Sequence, residues 1–546
     1  MSLPPIYSGR RRTWLRRLVM NGVAQGAVAF GLAHLLRSSL GGVGLSPETA
    51  HTVPWLEVVG IAGAGSMLLG LRAIEAADAE RLGQDYVMRV RLRIFEAVTR
   101  GQTRSGRRGR WGVTMTRLIS DLNSLRNWVS AGIARSVVAS ITIGGLTVAL
   151  LAIHPAAALA AATMIGLTTA AATALVPTLR TYVREARRRR GRLANNLGEK
   201  VLAAGTVRQF DATREEARRV RTHSVWLRDA LVRRTRLSRV LRSIPGATLP
   251  VAVGVLVLLA SRTSLSPADL TVCVLLLGLM GTSLSDLSRA VDHRLSFEEG
   301  RRRIAEVLDS PRIKESRKAV DLPSGGPVEV DIGRVSVRGR LTAGPFHARP
   351  GRTVQLTGGP GTGKSTLLAL VARWIDPDRG RIELDGVPVR RVSLASLSRT
   401  VQLVTPDVPL LRGRIVDNLG YGSEEVDPAW IAKVAATCGL DDEEPLLRDG
   451  LETRVEEQGH NLPDGLRARI ALARAAVVSP RLLAIDHPTL LLDPAARTAM
   501  RAVIELLGCT ALVAATPGID LAADAEWVLP DPIEPAPGRA TPRAGS

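Results

Sequence analysis

The residues Gly358-Gly-Pro-Gly-Thr-Gly-Lys-Ser-Thr366 have the spacing G-x-x-x-x-G-K-[ST]. That pattern cradles phosphate. Glycines at Gly358, Gly359, Gly361 and Gly363 let successive backbone N–H groups turn inward, with Pro360 and Thr362 between them. Lys364 offers a point charge to the β- and γ-phosphates, and Ser365, followed by Thr366, offers a hydroxyl to Mg²⁺. The context agrees, because a β-like run from Thr353 to Thr357 precedes the loop and an apolar helical run from Leu367 to Trp374 follows it. Composition adds a second argument. Lys+Arg total 73, yet the lysines are only Lys200, Lys314, Lys318, Lys364 and Lys433, so Lys364 resists a general drift toward arginine.

A chain of 546 residues exceeds one hydrophobic core and predicts two or three domains. A mean hydropathy of +0.11 beside a net charge of +22 is unusual for a soluble protein. The two are reconciled when apolar spans alternate with arginine clusters, as in a membrane protein with a basic cytoplasmic face. Nucleic acid is excluded as a partner, since aromatics are 3% and the arginines flank spans rather than interleave with aromatic residues. Cys273, Cys438 and Cys509 lie too far apart for metal-ligand or disulfide spacing and read as small buried residues.

The elements that must carry the loop follow in order. Arginines from Tyr7 to Leu18, with Trp14 and Leu15 among them, suit an interfacial helix on the inner leaflet, and with no convincing cleavage site the first span should stay in the membrane. Spans are expected near Val19–Leu36, Trp55–Leu71, Val137–Ile153, Ala156–Val176, Ile244–Ala260 and Leu270–Leu287. His154-Pro155 forces the third and fourth into an antiparallel pair. Arginine-rich stretches from Arg72 to Trp128 and Arg180 to Arg242 should lie inside, which places both termini in the cytoplasm. Glu57, Arg135 and Asp269 fall toward span ends and read as snorkelling or loop-facing groups. The expected organisation is a transmembrane domain with long cytoplasmic helices over 1–309, a linker over 310–326, an α/β domain over 327–530 and a disordered tail over 531–546.

Spans, long inner loops and a phosphate loop together resemble a half-transporter of the ATP-binding cassette (ABC) exporter family. The resemblance implies a membrane α-helical bundle of six spans fused to an α/β P-loop nucleotide-binding domain that holds ATP and Mg²⁺. Gly112 to Arg126 and Glu199 to Phe210 are similar to the family's two intracellular loops, which carry coupling helices. Leu482-Leu-Ala-Ile-Asp486 resembles a Walker B strand and puts Asp486, with Ser365, at Mg²⁺. Val455 to Gly459 resembles the X-loop and retains Glu457. Leu462 to Ala475 sits at the signature and its helix, and Asp493 matches the end of the D-loop.

The departures from the family carry more information than the matches. The catalytic glutamate position holds His487, the switch histidine position Thr516, the Mg²⁺-coupling glutamine position Pro406 with Gln402 upstream, and the adenine-stacking position Gly339. In the signature, Pro463 removes a hydroxyl and an N–H, while Asp464, before Gly465, sets a carboxylate where the partner's nucleotide should dock. Both residues suit a helix start, so the helix should survive while its ligand grip weakens.

The expectation is a degenerate half-subunit of a bacterial inner-membrane exporter of a peptide, lipid or small metabolite. It would bind Mg-ATP, hydrolyse it poorly, and pair with a more complete, unlike half-transporter. A non-transporting membrane pseudo-ATPase with a regulatory role is the competing expectation.

Overall fold

The computed structural model describes residues 3–42, 55–102, 121–262, 265–309, 311–337, 341–422, 426–441, 444, 446–447, 449–519 and 521–530. Most of the first intracellular-loop motif, Gly339 and the 531–546 tail lie outside the described residues. Two compact units divide the chain, Met1–Thr99 with Arg110–Ser310, and Arg100–Gly109 with Pro311–Ser546.

The first unit is helical throughout: α1 (Arg10–Gly42), α2 (Trp55–Thr99), α3 (Asp121–Ile153), α4 (Pro155–Leu202), the short α5 (Ala204–Gln209), α6 (Thr213–Ala260) and α7 (Pro267–Leu308). Among the described residues, six helices are long and apolar enough to cross a membrane, α5 being the exception. α4 and α6 each run 48 residues. At about 1.5 Å per residue each spans about 72 Å. A hydrocarbon core of about 30 Å takes up less than half of that. Their arginine-rich halves therefore project beyond the apolar layer and remain helical. The sharp turn between α3 and α4 is as read: His154 is extended, its Nδ1 accepts from Ala156 N at 3.1 Å, and Pro155 occupies the first turn. Ala29, Ala33, Ala149, Ala157, Ala160 and Ala252 are all buried in one cluster, small enough for helices to pack closely where no water drives association. Large side chains such as Leu56, Val59 and Leu69 of α2 face outward.

One expectation needs correction here. The arginines near the start do not form a separate interfacial helix, because nothing between Arg17 and Val19 breaks the helix and α1 runs unbroken from Arg10. Leu18 is fully buried against α2, and the Arg11 guanidinium lies 3.5 Å from Asp85 and over the Tyr86 ring. The first turns of α1 thus dock on protein. Asp269 lies in the first turn of α7, toward the span end as read, and is ion-paired there with Arg37 at 2.6 Å.

In the second unit, strands β1 (Thr353–Thr357), β2 (Val401–Val404), β3 (Leu482–Ile485), β4 (Thr510–Ala514) and β5 (Ala525–Val528) form a parallel sheet in the order β5-β1-β4-β3-β2. Every residue of β3 and β4 is buried, as expected for a parallel sheet covered on both faces. A four-stranded antiparallel sheet centred on Val330–Ile332 packs its apolar residues into the same cluster as β1 and the helix behind the phosphate loop.

That helix ends at Val371, three residues before the predicted Trp374. The cause is Arg373, which takes a left-handed backbone (φ 51°) and is 3% exposed. Its guanidinium donates to the carbonyls of Val389 (3.1 Å), Val392 (3.2 Å) and Lys314 (2.9 Å). The stretch read as a linker is correspondingly ordered from Pro311 on: Leu322 is buried, and its N–H donates to Ser396 Oγ at 3.0 Å. Replacing Arg373 by Met keeps the volume and removes all three donors. We expect a loss of about 1–3 kcal/mol, read as a lower midpoint for the second unit in a thermal melt followed by intrinsic fluorescence.

Candidate functional site

Parallel strands end on the same edge of their sheet, and that edge is where open α/β sheets bind ligands. The pairings Leu356 with Ala514, Val513 with Ile485, and Ile485 with Val404 align the ends of four strands. Each is followed within two residues by one singled out in the sequence. Gly358 follows β1, Pro406 lies two residues past β2, Asp486 and His487 follow β3, and Thr516 lies two residues past β4.

The phosphate loop leaves β1 with Gly358 at φ 146°. A Cβ there would sit 2.9 Å from Thr362 Oγ1 and 3.2 Å from the Leu529 carbonyl, so only glycine fits. Gly363, at φ 97°, caps the following helix without a side-chain hydrogen bond. The first-turn N–H groups, which have no partner within a helix, are left to face a ligand. Lys364 Nζ donates back to the carbonyls of Gly358 (2.5 Å) and Gly359 (3.1 Å) across the loop. Burial holds its pKa below the ordinary lysine range, with Asp486 opposing.

Residues fit to hold a metal lie beside it. Asp486 is fixed by its N–H donating to Val404 O at 2.8 Å, and its carboxylate accepts a hydrogen bond from Ser365. Burial pushes its pKa up, and the Asp407 carboxylate pushes the same way. Two hard oxygens in a site that disfavours uncompensated negative charge suit Mg²⁺. Asp407, directly after Pro406, is a contributor that sequence reasoning missed.

His487 begins the short helix Pro488–Leu492 and is 9% exposed. Among the described residues its buried Nδ1 has no hydrogen-bond partner. Burial, followed by the charge of Arg467, pushes the imidazole pKa down to about 4, so it is neutral near pH 7. Arg467 is itself ion-paired to Asp464. The link from signature to His487 through Arg467 has no signature in sequence beyond the i,i+3 spacing to Asp464.

Pro463 is the N-cap of the helix Asp464–Val477, as the helix-start reading expects. A Cβ on Gly465 would lie 2.4 Å from Asp493 Oδ2, so the signature turn and Asp493 are in close approach. Asp493 also caps the next helix, accepting from Ala496 N at 2.9 Å. Arg474 ties the signature helix to the segment after β2 by donating to the carbonyls of Val408 (3.0 Å) and Pro409 (3.1 Å). Thr516 and Pro406 are exposed. Gln402 Nε2 is turned back onto Ser398 O at 2.5 Å, away from the strand end, and does not stand in at Pro406. Glu457 lies in a 3₁₀ turn distorted by Gln458 at φ 59°.

Two family models match the chain, "ABC transporter transmembrane region" over residues 17–284 and "ABC transporter" over residues 342–490. An uncharacterized ABC transporter ATP-binding protein of Bacillus subtilis, YknV, is 26% identical over 454 residues, covering 80% of this chain and 74% of that protein. An ATP-dependent lipid A-core flippase of Thiobacillus denitrificans is 42% identical over 159 residues, which cover 29% of this chain and 28% of the flippase. The solved structure of a bacterial Atm1-family ABC exporter with ATP bound superposes with a TM-score of 0.78 at 22% identity, covering 95% of this chain and 93% of that one. The chain belongs to the ABC transporter family, with a multi-pass transmembrane region and a Mg-ATP-using domain in one chain, and it shares the fold of the Atm1-family exporter.

Proposed function

We propose that this half-transporter retains Mg-ATP while hydrolysing it poorly, and that it works beside an unlike, more complete half-transporter. The reading places the transmembrane domain at residues 1–309 and the ATP-binding domain at 327–530, in a bacterial plasma membrane with both termini and the ATP-binding domain cytoplasmic. Arginine-rich helical halves on one side of the spans support that orientation.

The observation that carries the reading is His487. A water-activating group next to Asp486 needs either a fixed negative charge or a free basic site poised toward water. His487 is neutral and buried, with a pKa near 4, and it faces the positive Arg467. It is therefore a weak base in a site that disfavours any proton it might take up. Thr516 has no charge to set against a γ-phosphate. Lys364 and the N–H groups of Gly361 to Thr366 would hold the phosphates, while Ser365 and Asp486 would hold Mg²⁺. Bound there, Mg-ATP supplies the phosphoanhydride whose cleavage drives the family's transport cycle.

A second defect lies at Pro463 and Asp464, which would face the nucleotide held by the partner. The Asp464 carboxylate is exposed and ion-paired with Arg467. It repels a polyphosphate unless Arg467 is drawn across with it. Two copies of this chain would combine two sites with the same losses, which supports pairing with an unlike half. The exported solute is a peptide, lipid or small metabolite.

Three outcomes are expected. Gly358→Ala should strain the loop by about 1–2 kcal/mol and weaken a fluorescent ATP analogue about tenfold in a direct titration. Asp486→Asn should leave metal-free nucleotide binding in place and remove the gain from added Mg²⁺. The purified chain should show no sustained ATP turnover. Turnover should appear with the partner, vanish when the partner's catalytic glutamate is changed to glutamine, and rise in a His487→Glu/Pro463→Ser/Asp464→Gly variant. Brisk hydrolysis by the chain alone, abolished by His487→Ala, would overturn the reading. No activity in any pairing would favour a regulatory pseudo-ATPase.

A further inference from the structure

The half of α6 that precedes its span carries a single exposed stripe. Arg214, Arg218, Arg221, Arg228, Arg236 and Arg239 are all exposed, and Val225 and Val232 fill the steps between them. Successive members stand three or four residues apart, so they share one face of the helix. At about 1.5 Å per residue the stripe runs about 38 Å along the axis. The opposite face is docked on protein. Ala230, Ser238 and Leu241 are buried there, and Arg234 lies 3.1 Å from Asp292 of α7. Beside it, α4 is held by Arg187 to Asp121 of α3 (3.3 Å) and by Arg184 to Glu299 of α7 (3.0 Å). The stripe is therefore presented outward on a helix fixed from behind.

Its charge is uncompensated. The carboxylates of this half of α6, Glu215, Glu216 and Asp229, lie off the stripe and are held by Arg219, Lys200 and Arg228. Among the described residues, Arg214, Arg218, Arg221, Arg236 and Arg239 have no carboxylate within ion-pair distance. Like charges three or four residues apart weaken a helix, and valine favours a helix less than alanine does. The stripe thus destabilises α6 by itself and stabilises it against a surface of opposite sign. Val225 and Val232, 36% and 41% exposed, give that surface two apolar points of contact. A flat anionic membrane does not match the stripe. This half of α6 projects away from the apolar layer, and attraction fades over about 8 Å, so only the arginines nearest the span would be reached. Two such stripes set against each other would repel.

We infer that the arginine stripe of α6 is the docking face for an acidic helix of the unlike half-transporter. That helix carries carboxylates at the same three-and-four spacing and small apolar residues opposite Val225 and Val232. Opposite charge speeds encounter and fixes register, while a like-charged partner is rejected. The inference rests on the proposed pairing with an unlike half and names the surface that selects it.

The test co-expresses the full chain with each other half-transporter of the same genome and purifies pairs through two different tags into lipid nanodiscs. The wild type should recover one unlike half at about one to one. Arg218→Glu/Arg221→Glu/Arg236→Glu should lower that recovery about tenfold or more, and the loss should shrink in high salt. Val225→Ser/Val232→Ser should lower it less. Arg188→Glu/Arg190→Glu/Arg192→Glu on α4 makes the same change of net charge and should leave recovery unchanged. Reversing three carboxylates to arginine on one helix of the recovered half should restore pairing with the charge-reversed chain. That rescue, with unchanged binding of a fluorescent ATP analogue, separates a lost contact from a lost fold. The inference is overturned if the α4 triple costs as much as the α6 triple, or if no reversal in the recovered half rescues. It is overturned too if the α6 triple pairs like wild type, and a loss of co-purified phosphatidylglycerol or nucleic acid in that variant would assign the stripe to that polyanion. In each of these outcomes the unlike half is still recovered, so the pairing reading stands. Recovery of nothing but a second copy of this chain would overturn both.

Discussion

Hydrogen-bonded register in the parallel sheet is the constraint on which the rest of the ATP-binding domain depends. β3 is paired on both sides, with Ile485 opposite Val404 of β2 and Val513 of β4. A slip of one residue would turn every side chain of β3 to the other face and carry Asp486 away from Ser365. The buried apolar content of β3 and β4 prevents that slip, because all of it would have to move at once. The chemistry at the edge of the sheet is thereby held by residues with no chemistry of their own.

Within that frame the altered positions do not disturb the scaffold. Pro463 caps one helix and His487 caps another. Both residues suit the backbone they sit on. A chain that was merely decaying would be expected to lose packing as readily as polar function. Here β3 and β4 are wholly buried behind the edge on which His487 and Thr516 lie.

Much of this is legible in the sequence, and for identifiable reasons. The loop from Gly358 to Thr366 and the run Leu482 to Asp486 are local patterns whose spacing has one physical use. The spans and the His154-Pro155 turn follow from length, hydropathy and a proline. What escapes sequence reasoning depends on contacts between distant residues. The helix after Lys364 stops early because Arg373 finds carbonyls at Lys314, Val389 and Val392. Arg11 turns inward because Asp85 and Tyr86 await it on α2. Asp407 and Arg467 enter the site electrostatics through space, with no spacing rule to announce them.

In the first unit Arg187, Arg184 and Arg234 are paired with Asp121, Glu299 and Asp292, so guanidinium groups supply the positive end of each of these pairs. A guanidinium does not give up its proton in a protein. The positive charge of these groups therefore persists across the physiological pH range, and the carboxylates they pair with are the partners that acid can neutralise. The pairs Arg187–Asp121 and Arg234–Asp292 each join two different helices, so they are broken by moving those helices apart and not by drawing a proton from the arginine.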